Sequence, residues 1–147
     1  MEAGRRIREL TPNEVGPALK LVWEVFLEFE APDYPQQGVD EFRRFLDDEV
    51  ELGKLRFFGI LEQGGLAGVL AMRQTHISLF FVRKEFHKQG MGRALFQFML
   101  EQTGYRRVTV NSSPYAREVY RKLGFIPTAA EQITNGIRFI PMVSERV

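Results

Sequence analysis

Two glycines, Gly90 and Gly92, lie where a helix is predicted to begin, within residues 85–100. The start of a helix leaves several backbone N–H groups unpaired, and the helix dipole adds about half a positive charge there. Glycine removes a side chain from this point and permits a positive φ, so phosphate oxygens can approach the amides. Basic or potentially basic side chains surround the loop: Arg83, Lys84, His87, Lys88 and Arg93. This arrangement predicts an anion site suited to a pyrophosphate.

From the glycine spacing alone, a purely structural interpretation is favoured over a binding site. In that interpretation the glycines form a tight turn and the basic residues form a solvated face. Two nucleotide motifs are excluded by the residues present. A dinucleotide fingerprint requires a third glycine, where this chain has Leu95, and a P-loop requires Gly-Lys-Ser/Thr, which "GMGRAL" lacks.

Strand and helix patterns flank the glycine loop on both sides. "ISLFFV", residues 77–82, predicts a strand before the loop, and "RVTV", residues 107–110, predicts a strand after the helix. The helix has an apolar face and is placed to end at Gly104. That face comprises Met91, Ala94, Leu95, Phe98 and Met99. Ser113 and Pro114 predict the start of a further helix, which ends at Gly124.

The rest of the chain predicts helices first and then antiparallel strands. "TPNE", residues 11–14, has the pattern of a capping box, and the helix after it is expected to end near Glu30. A loop over residues 31–38 precedes a second helix marked by Val39, Phe42 and Leu46. Strands at 55–62 and 66–72 form a hairpin, and "TNG" centres a closing hairpin. The order indicates a mixed α/β architecture.

The length, composition and net charge of the chain limit the class of protein it can be. A length of 147 residues predicts one domain over residues 1–147, and an apolar content of 44% with 13 phenylalanines supplies a core. The net charge of +1 argues against a nucleic-acid partner, and no metal site is expected. The charged start lacks an apolar signal-peptide region, no run of apolar residues could span a membrane, and cysteine is absent. We therefore expect a cytoplasmic protein.

Two stretches resemble the signatures of the GCN5-related N-acetyltransferase (GNAT) superfamily. "FFVRKEFHKQGMGRALFQFMLE" resembles the acetyl-CoA motif Arg/Gln-x-x-Gly-x-Gly/Ala, which falls here on residues 87–92. "VNSSPYAREVYRKLGF", residues 110–125, resembles the second signature, matched by Asn111, Ala116, Tyr120, Gly124 and Phe125. The resemblance implies a mixed, mostly antiparallel sheet in which the central fourth and fifth strands splay apart. About four helices would flank it.

The resemblance also implies which residues bind acetyl-CoA as co-substrate. The loop residues would hold the pyrophosphate: His87, Lys88, Gln89, Gly90, Met91 and Gly92, with Arg93 adjacent. Phe81 and Val82 would bond the pantetheine arm like an added strand, and Asn111 would bond the same arm. His87 departs from the motif, because the family usually has Arg or Gln there. The departure removes a long donor to the phosphates.

The implied reaction is direct attack of a primary amine on the acetyl thioester. The Val82 N–H would donate to the carbonyl oxygen, and Tyr120 would protonate the departing thiolate. His76 is the candidate base, although a histidine capping a strand is the favoured interpretation of that residue. Without the resemblance, Tyr120 would be read as a core aromatic.

The acceptor would be a small-molecule or peptide amine, bound between the first two helices. Carboxylates there could attract an ammonium group, although an ordinary charged helix end explains them as well. They are Glu28, Glu30, Asp33, Asp40 and Glu41, with Tyr34 and Phe29 nearby. Two alternatives stay open: a non-catalytic coenzyme A-binding sensor and an unrelated nucleotide-binding module. Members of the family are often dimers, so the resemblance leaves a homodimer open, although the sequence itself does not indicate one.

Overall fold

Eight β-strands form one mixed sheet in the computed structural model, which describes residues 5–146. The strands are β1 (Arg5–Glu9), β2 (Arg56–Glu62), β3 (Gly65–Arg73), β4 (His76–Val82), β5 (Arg107–Ser112), β6 (Ile126–Pro127), β7 (Gln132–Thr134) and β8 (Ile137–Glu145). Their order is β1-β2-β3-β4-β5-β8-β6, and β7 pairs with β8 beside this path. Only β4 and β5 pair in parallel among these described strands. The predicted mixed, mostly antiparallel sheet is confirmed.

Five α-helices accompany the sheet within the described range. They are α1 (Val15–Phe29), α2 (Gln36–Leu46), α3 (Glu49–Leu52), α4 (Met91–Thr103) and α5 (Arg117–Lys122). A 3-10 turn at Pro12–Glu14 precedes α1, and the Thr11 N–H donates to the Glu14 carboxylate at 2.9 Å. The predicted capping box is therefore present. None of the helices over residues 5–146 has the length and apolarity to cross a bilayer. Residues 1–4, part of the segment judged not to be a signal peptide, lie outside the described residues.

The sheet is covered by helices on both faces because its buried side chains alternate. Phe57 and Val69 pack with α1 and α2, whereas their chain neighbours Phe58 and Leu70 pack with α4. Both faces of β2 and β3 are therefore apolar, and each face is covered by a helical layer.

The two central strands stay together for only two residue pairs. β4 and β5 pair at His76–Thr109 and Ile77–Val110 and then diverge. On its other edge β4 pairs Leu79 with Ala71 and Ile77 with Met72, which leaves Ser78 as the extra residue of a β-bulge. The bulge turns the strand at the point where it leaves β5. The predicted splay of the fourth and fifth strands is confirmed, and we call the resulting gap the cleft.

Several local features differ from the sequence prediction, including the short helix α3, which was not predicted. Strand β1 was not predicted, because its sequence is mostly charged and lacks an apolar strand pattern. Charged residues are typical of the edge position that β1 occupies beside β2. Helix α2 begins at Gln36, inside the predicted loop, because Pro35 occupies the N-cap position, where no backbone donor is needed. Helix α5 begins at Arg117 rather than directly after Ser113. The Ser113 hydroxyl instead accepts a hydrogen bond from the Ala116 N–H at 3.1 Å and stabilises an intervening turn.

The closing hairpin touches the start of α2 backbone to backbone. Gly136 adopts a positive φ of 81° in the predicted "TNG" turn. A Cβ atom on Gly38 would lie 2.2 Å from the Gly136 carbonyl oxygen. The Tyr34 hydroxyl donates to the backbone carbonyl oxygen of Arg138 at 3.2 Å. The Arg138 guanidinium donates to the backbone carbonyl oxygen of Asp33 at 3.3 Å. We call this region the α2–hairpin contact, and it joins the α1–α2 connection to β8.

Candidate active site

The glycine loop ends in the N-terminus of α4, as predicted. Gly90 is the N-cap residue with a φ of 75°, and Lys88 also has a positive φ. The first helical bond runs from the Ala94 N–H to the Gly90 carbonyl at 2.9 Å. The preceding amides of Met91 and Gly92 therefore have no acceptor within the helix. The local geometry is that of an anion site.

A cavity of about 400 Å³ extends from this loop along the end of β4 to α5, and we call it the loop-side cavity. Most of the predicted coenzyme-binding residues line it: Phe81, Val82, His87, Lys88, Gly90, Met91, Gly92, Arg93 and Tyr120. Lys122 adds a further cation. Gln89 and Asn111 lie elsewhere. The Gln89 side chain donates to the Glu85 carbonyl at 3.0 Å, and Asn111 lines a second cavity.

The backbone of Val82 faces the cleft. The Arg83 N–H donates to the Ala67 carbonyl at 2.8 Å, so Arg83 and Ala67 form a hydrogen-bonded pair of the antiparallel ladder. Bonded and non-bonded pairs alternate, so the adjacent Val82–Gly68 pair directs its N–H and C=O groups away from the partner strand. The Val82 amide therefore points to the side that β5 has left. A ligand in the cleft can pair with it as a strand would.

His87 turns inward rather than toward the solvent side of the loop. Its Nε2–H donates to the Val82 carbonyl oxygen at 2.8 Å. The His87 ring lies 4.9 Å from the Phe29 ring, which in turn stacks on Tyr115 at 5.2 Å. The three rings connect the loop, the end of α1 and the segment before α5. At the position where the motif usually has an outward donor, this chain has a residue that bonds its own strand.

A second cavity of about 470 Å³ lies beyond the cleft, and we call it the aromatic cavity. Its lining is rich in aromatic side chains: Phe26, Tyr34, Phe42, Phe45, Phe80, Phe81, Tyr120 and Phe139. The two cavities share Glu30, Phe80, Phe81, Ala116 and Tyr120. A molecule in the loop-side cavity and a molecule in the aromatic cavity would therefore meet beside Glu30 and Tyr120.

Tyr120 is buried at this junction, with 6% of its surface exposed. Its ring makes edge contacts with Phe80 at 6.0 Å and Phe125 at 5.3 Å between centroids. Burial raises the pKa of Tyr120, and the nearby charge of Glu30 raises it further. The hydroxyl therefore stays protonated at neutral pH and is available as a donor.

Glu30 lies at the C-terminal end of α1 and faces both cavities. Burial raises the pKa of its carboxyl to about 7, opposed by a hydrogen bond from Ser113 and supported by the charge of Asp33. A carboxyl with this pKa exchanges a proton at neutral pH. Sequence reasoning placed Glu30 among several acidic residues and did not single it out, because its burial arises from contacts distant in the chain.

His76, the predicted base, is the first residue of β4 and lines the aromatic cavity. Its Nδ1 atom lies 2.8 Å from the Thr109 hydroxyl oxygen, across the β4–β5 pair. Burial lowers the pKa of His76, so its ring is neutral at pH 7. In contrast to Glu30, it does not line the loop-side cavity.

Comparison with known proteins identifies the family. The profile of the acetyltransferase (GNAT) domain matches residues 30–146, and the chain belongs to this family. A comparison with curated proteins gives no match.

Solved structures support the fold independently. A GCN5-related N-acetyltransferase from Rhodopseudomonas palustris is 18% identical with a TM-score of 0.82, covering 99% of this chain and 98% of its own. PaiA N-acetyltransferase from Thermoplasma acidophilum, in complex with coenzyme A, is 17% identical with a TM-score of 0.73 and 99% coverage of both chains. FeeM, an N-acyl amino acid synthase from uncultured soil microbes, is 16% identical with a TM-score of 0.70, covering 96% of this chain and 90% of its own.

Proposed function

We propose that this protein transfers the acetyl group of acetyl-CoA to a primary amine by direct attack. The observation that carries the proposal is the junction of the two cavities, where a titrating carboxyl and a protonated phenol lie beside the cleft. Membership of the acetyltransferase (GNAT) domain family supports acyl transfer. The similar Thermoplasma structure holds coenzyme A, which supports the choice of acyl carrier.

Acetyl-CoA would bind along the loop-side cavity. The free amides of Met91 and Gly92 would hold the pyrophosphate, and Lys88, Arg93 and Lys122 would supply positive charge. The pantetheine arm would lie in the cleft as an added strand on Phe81 and Val82. Asn111, on the β5 side, would meet its reactive end rather than its middle, because Asn111 lines the aromatic cavity. The arm would displace His87 from the Val82 carbonyl.

The reaction needs three proton movements: the nitrogen loses two protons and the thiolate gains one. The ammonium group of the acceptor loses a proton, and its nitrogen attacks the thioester carbon while the Val82 N–H stabilises the oxyanion. The C–S bond then breaks, the nitrogen loses a second proton, and the thiolate gains one. The net products are an amide, coenzyme A as thiol, and one proton released to solvent.

Glu30 and Tyr120 are placed for two of these movements, the first deprotonation of the amine and the protonation of the thiolate. Glu30 would accept the proton of the amine, because its carboxyl faces both cavities and has a pKa of about 7. Tyr120 would donate to the thiolate from the buried side of the junction. His76, the candidate base named from the sequence, is the second candidate and would act from the acceptor side alone. Separate pH–rate profiles of Glu30→Gln and His76→Gln distinguish the two, since the ascending limb flattens only in the variant that lacks the base.

Titration calorimetry with acetyl-CoA, coenzyme A and ATP tests the carrier, and thiol release with a panel of amines tests the transfer. We expect micromolar binding of acetyl-CoA and amine-dependent thiol release. A preference for ATP, or thiol release that no amine accelerates, would overturn the proposal.

A further inference from the structure

The lining of the aromatic cavity indicates the kind of acceptor, because it contains the carboxyl groups of Glu30 and Glu41 and few basic groups. Of the described residues that line it, none is a lysine or an arginine. His76 is the only basic type present, and its burial keeps it neutral at pH 7. A carboxylate or phosphate on the acceptor would therefore enter an apolar space without a cationic partner. Burial of an unpaired charge costs several kcal/mol in free energy, on the order of 3–5 kcal/mol when one partner of a buried pair is missing.

The carboxylates of the cavity differ in what they already contact. Glu41 forms an ion pair with Arg44, one turn further along α2. Both residues also line a polar pocket beside the aromatic cavity, which they share with Asn135 and Asp40. Glu30, by contrast, is influenced by Ser113 and Asp33 and by no cation. Within the part of the chain that the structure describes, Glu30 is the carboxyl that an incoming ammonium group can neutralise.

Resting on the proposed function, we infer that the acceptor is a small primary amine with an aromatic or branched hydrocarbon body and no acidic group, whose amino group lies against Glu30. The aromatic side chains would cover the body, among them Phe42, which stacks on Phe26 at 4.1 Å and contacts Phe81. The volume of about 470 Å³ lies within the range of roughly 300–1,000 Å³ of small-molecule sites.

The α2–hairpin contact argues for a small molecule over a peptide. Gly38 and Gly136 touch without space for a Cβ atom between them, and Tyr34 bonds to the backbone of β8. The connection after α1 is therefore fixed to the hairpin along the part of the cavity lined by Tyr34, Asn135 and Ile137. A long chain leaving the cavity on this side would have to part these elements.

A matched set of acceptors tests the inference on the wild-type protein. 2-Phenylethylamine and phenylalanine share a body and differ by one carboxylate, and phenylalaninamide has the bulk of that carboxylate without its charge. We expect kcat/KM for phenylethylamine to exceed that for phenylalanine by at least about 100-fold, which corresponds to about 2.7 kcal/mol. Phenylalaninamide should react faster than phenylalanine, and spermidine more slowly than phenylethylamine.

The outcomes separate the inference from the function on which it rests. Preferred transfer to phenylalanine, to spermidine or to a peptide amine leaves acetyl transfer intact and overturns the inference. Binding of acetyl-CoA with transfer to none of the amines overturns both.

A charge introduced into the cavity gives a second test. Phe45 lies on α2, is half-buried and lines the aromatic cavity, so Phe45→Arg should place a cation there. We expect the ratio of kcat/KM for phenylalanine to that for phenylethylamine to rise at least about tenfold in this variant. Phe45→Met controls for the loss of the ring. An unchanged ratio in a folded Phe45→Arg protein contradicts the inference, and the wild-type comparison stands if the variant does not fold.

Discussion

Replacing Glu30 by glutamine tests its burial through stability, independently of any substrate. The carboxyl has a pKa of about 7 in the folded protein against 4.5 in the unfolded chain. Between these values the folded state holds a proton that the unfolded state has released. The free energy of unfolding therefore falls as pH rises from about 4.5 to about 7, and stays low above that. Glutamine is neutral throughout and does not show this fall.

The size of the effect follows from the two pKa values. A difference of about 2.5 pH units corresponds to about 3 kcal/mol. Part of Glu30 is exposed to solvent, and screening by solvent reduces this free energy, so we expect about 1–2 kcal/mol. Relative to wild type, Glu30→Gln should therefore gain this stability between pH 4.5 and pH 8.5.

Urea denaturation at several pH values measures the effect, with each curve fitted for its midpoint and slope. The comparison of variant with wild type cancels the pH dependence of the groups that do not interact with Glu30. Glu101→Gln, which removes an exposed carboxylate from α4, controls for the loss of one negative charge. A stability difference between Glu30→Gln and wild type that is the same at pH 4.5 and pH 8.5 would refute the burial of a neutral carboxyl and the role that depends on it.

Three further predictions concern the coenzyme loop, the acid and the α2–hairpin contact. Tyr120→Phe should lower kcat by about 10²–10⁴-fold while the Kd for acetyl-CoA, measured by calorimetry, changes less than about threefold; equal turnover would remove its acid role. Gly90→Val should weaken acetyl-CoA binding at least about tenfold by blocking the free amides. Gly104→Val, with a similar φ of 73° at the other end of α4, is its control and should bind normally in the same titration. Gly38→Ala should destabilise the fold by about 1–3 kcal/mol in thermal or urea unfolding, because its Cβ has no room. Gly16→Ala, which meets nothing within 4 Å, should be neutral or stabilising, and similar losses in both would contradict the packing argument.

The elements that the sequence predicted well are those with strong local patterns. The apolar face from Met91 to Met99 and the glycine at position 104 define α4, whose observed bounds are Met91–Thr103. The "TNG" turn required positive φ values, which Asn135 and Gly136 adopt. In both cases neighbours within one or two turns of chain determine the structure.

The features that escaped prediction depend on partners far apart in the chain. Strand β1 is recognisable through its pairing with β2, including an ion pair of Glu9 with Arg56 at 2.9 Å, and not through its own charged residues. Glu28 is exposed and pairs with Lys84, whereas Glu30, two residues further on, faces the two cavities, and the packing of α1 against the sheet decides this difference. The contact of Gly38 with Gly136 joins residues about one hundred positions apart, and the sequence around either glycine does not predict the contact.

The parting of β4 and β5 gives the sheet an unpaired strand edge in its interior. Such edges normally lie at the border of a sheet, where they invite aggregation and are guarded by charges or short strands. Here the edge of β4 beyond Ile77 faces the cleft in the middle of the sheet. A slender, flexible molecule that entered the cleft would complete the ladder. The unpaired edge therefore lies inside the fold, and the pantetheine arm of the proposed co-substrate, about as wide as one strand, is the kind of ligand that we expect to pair with it.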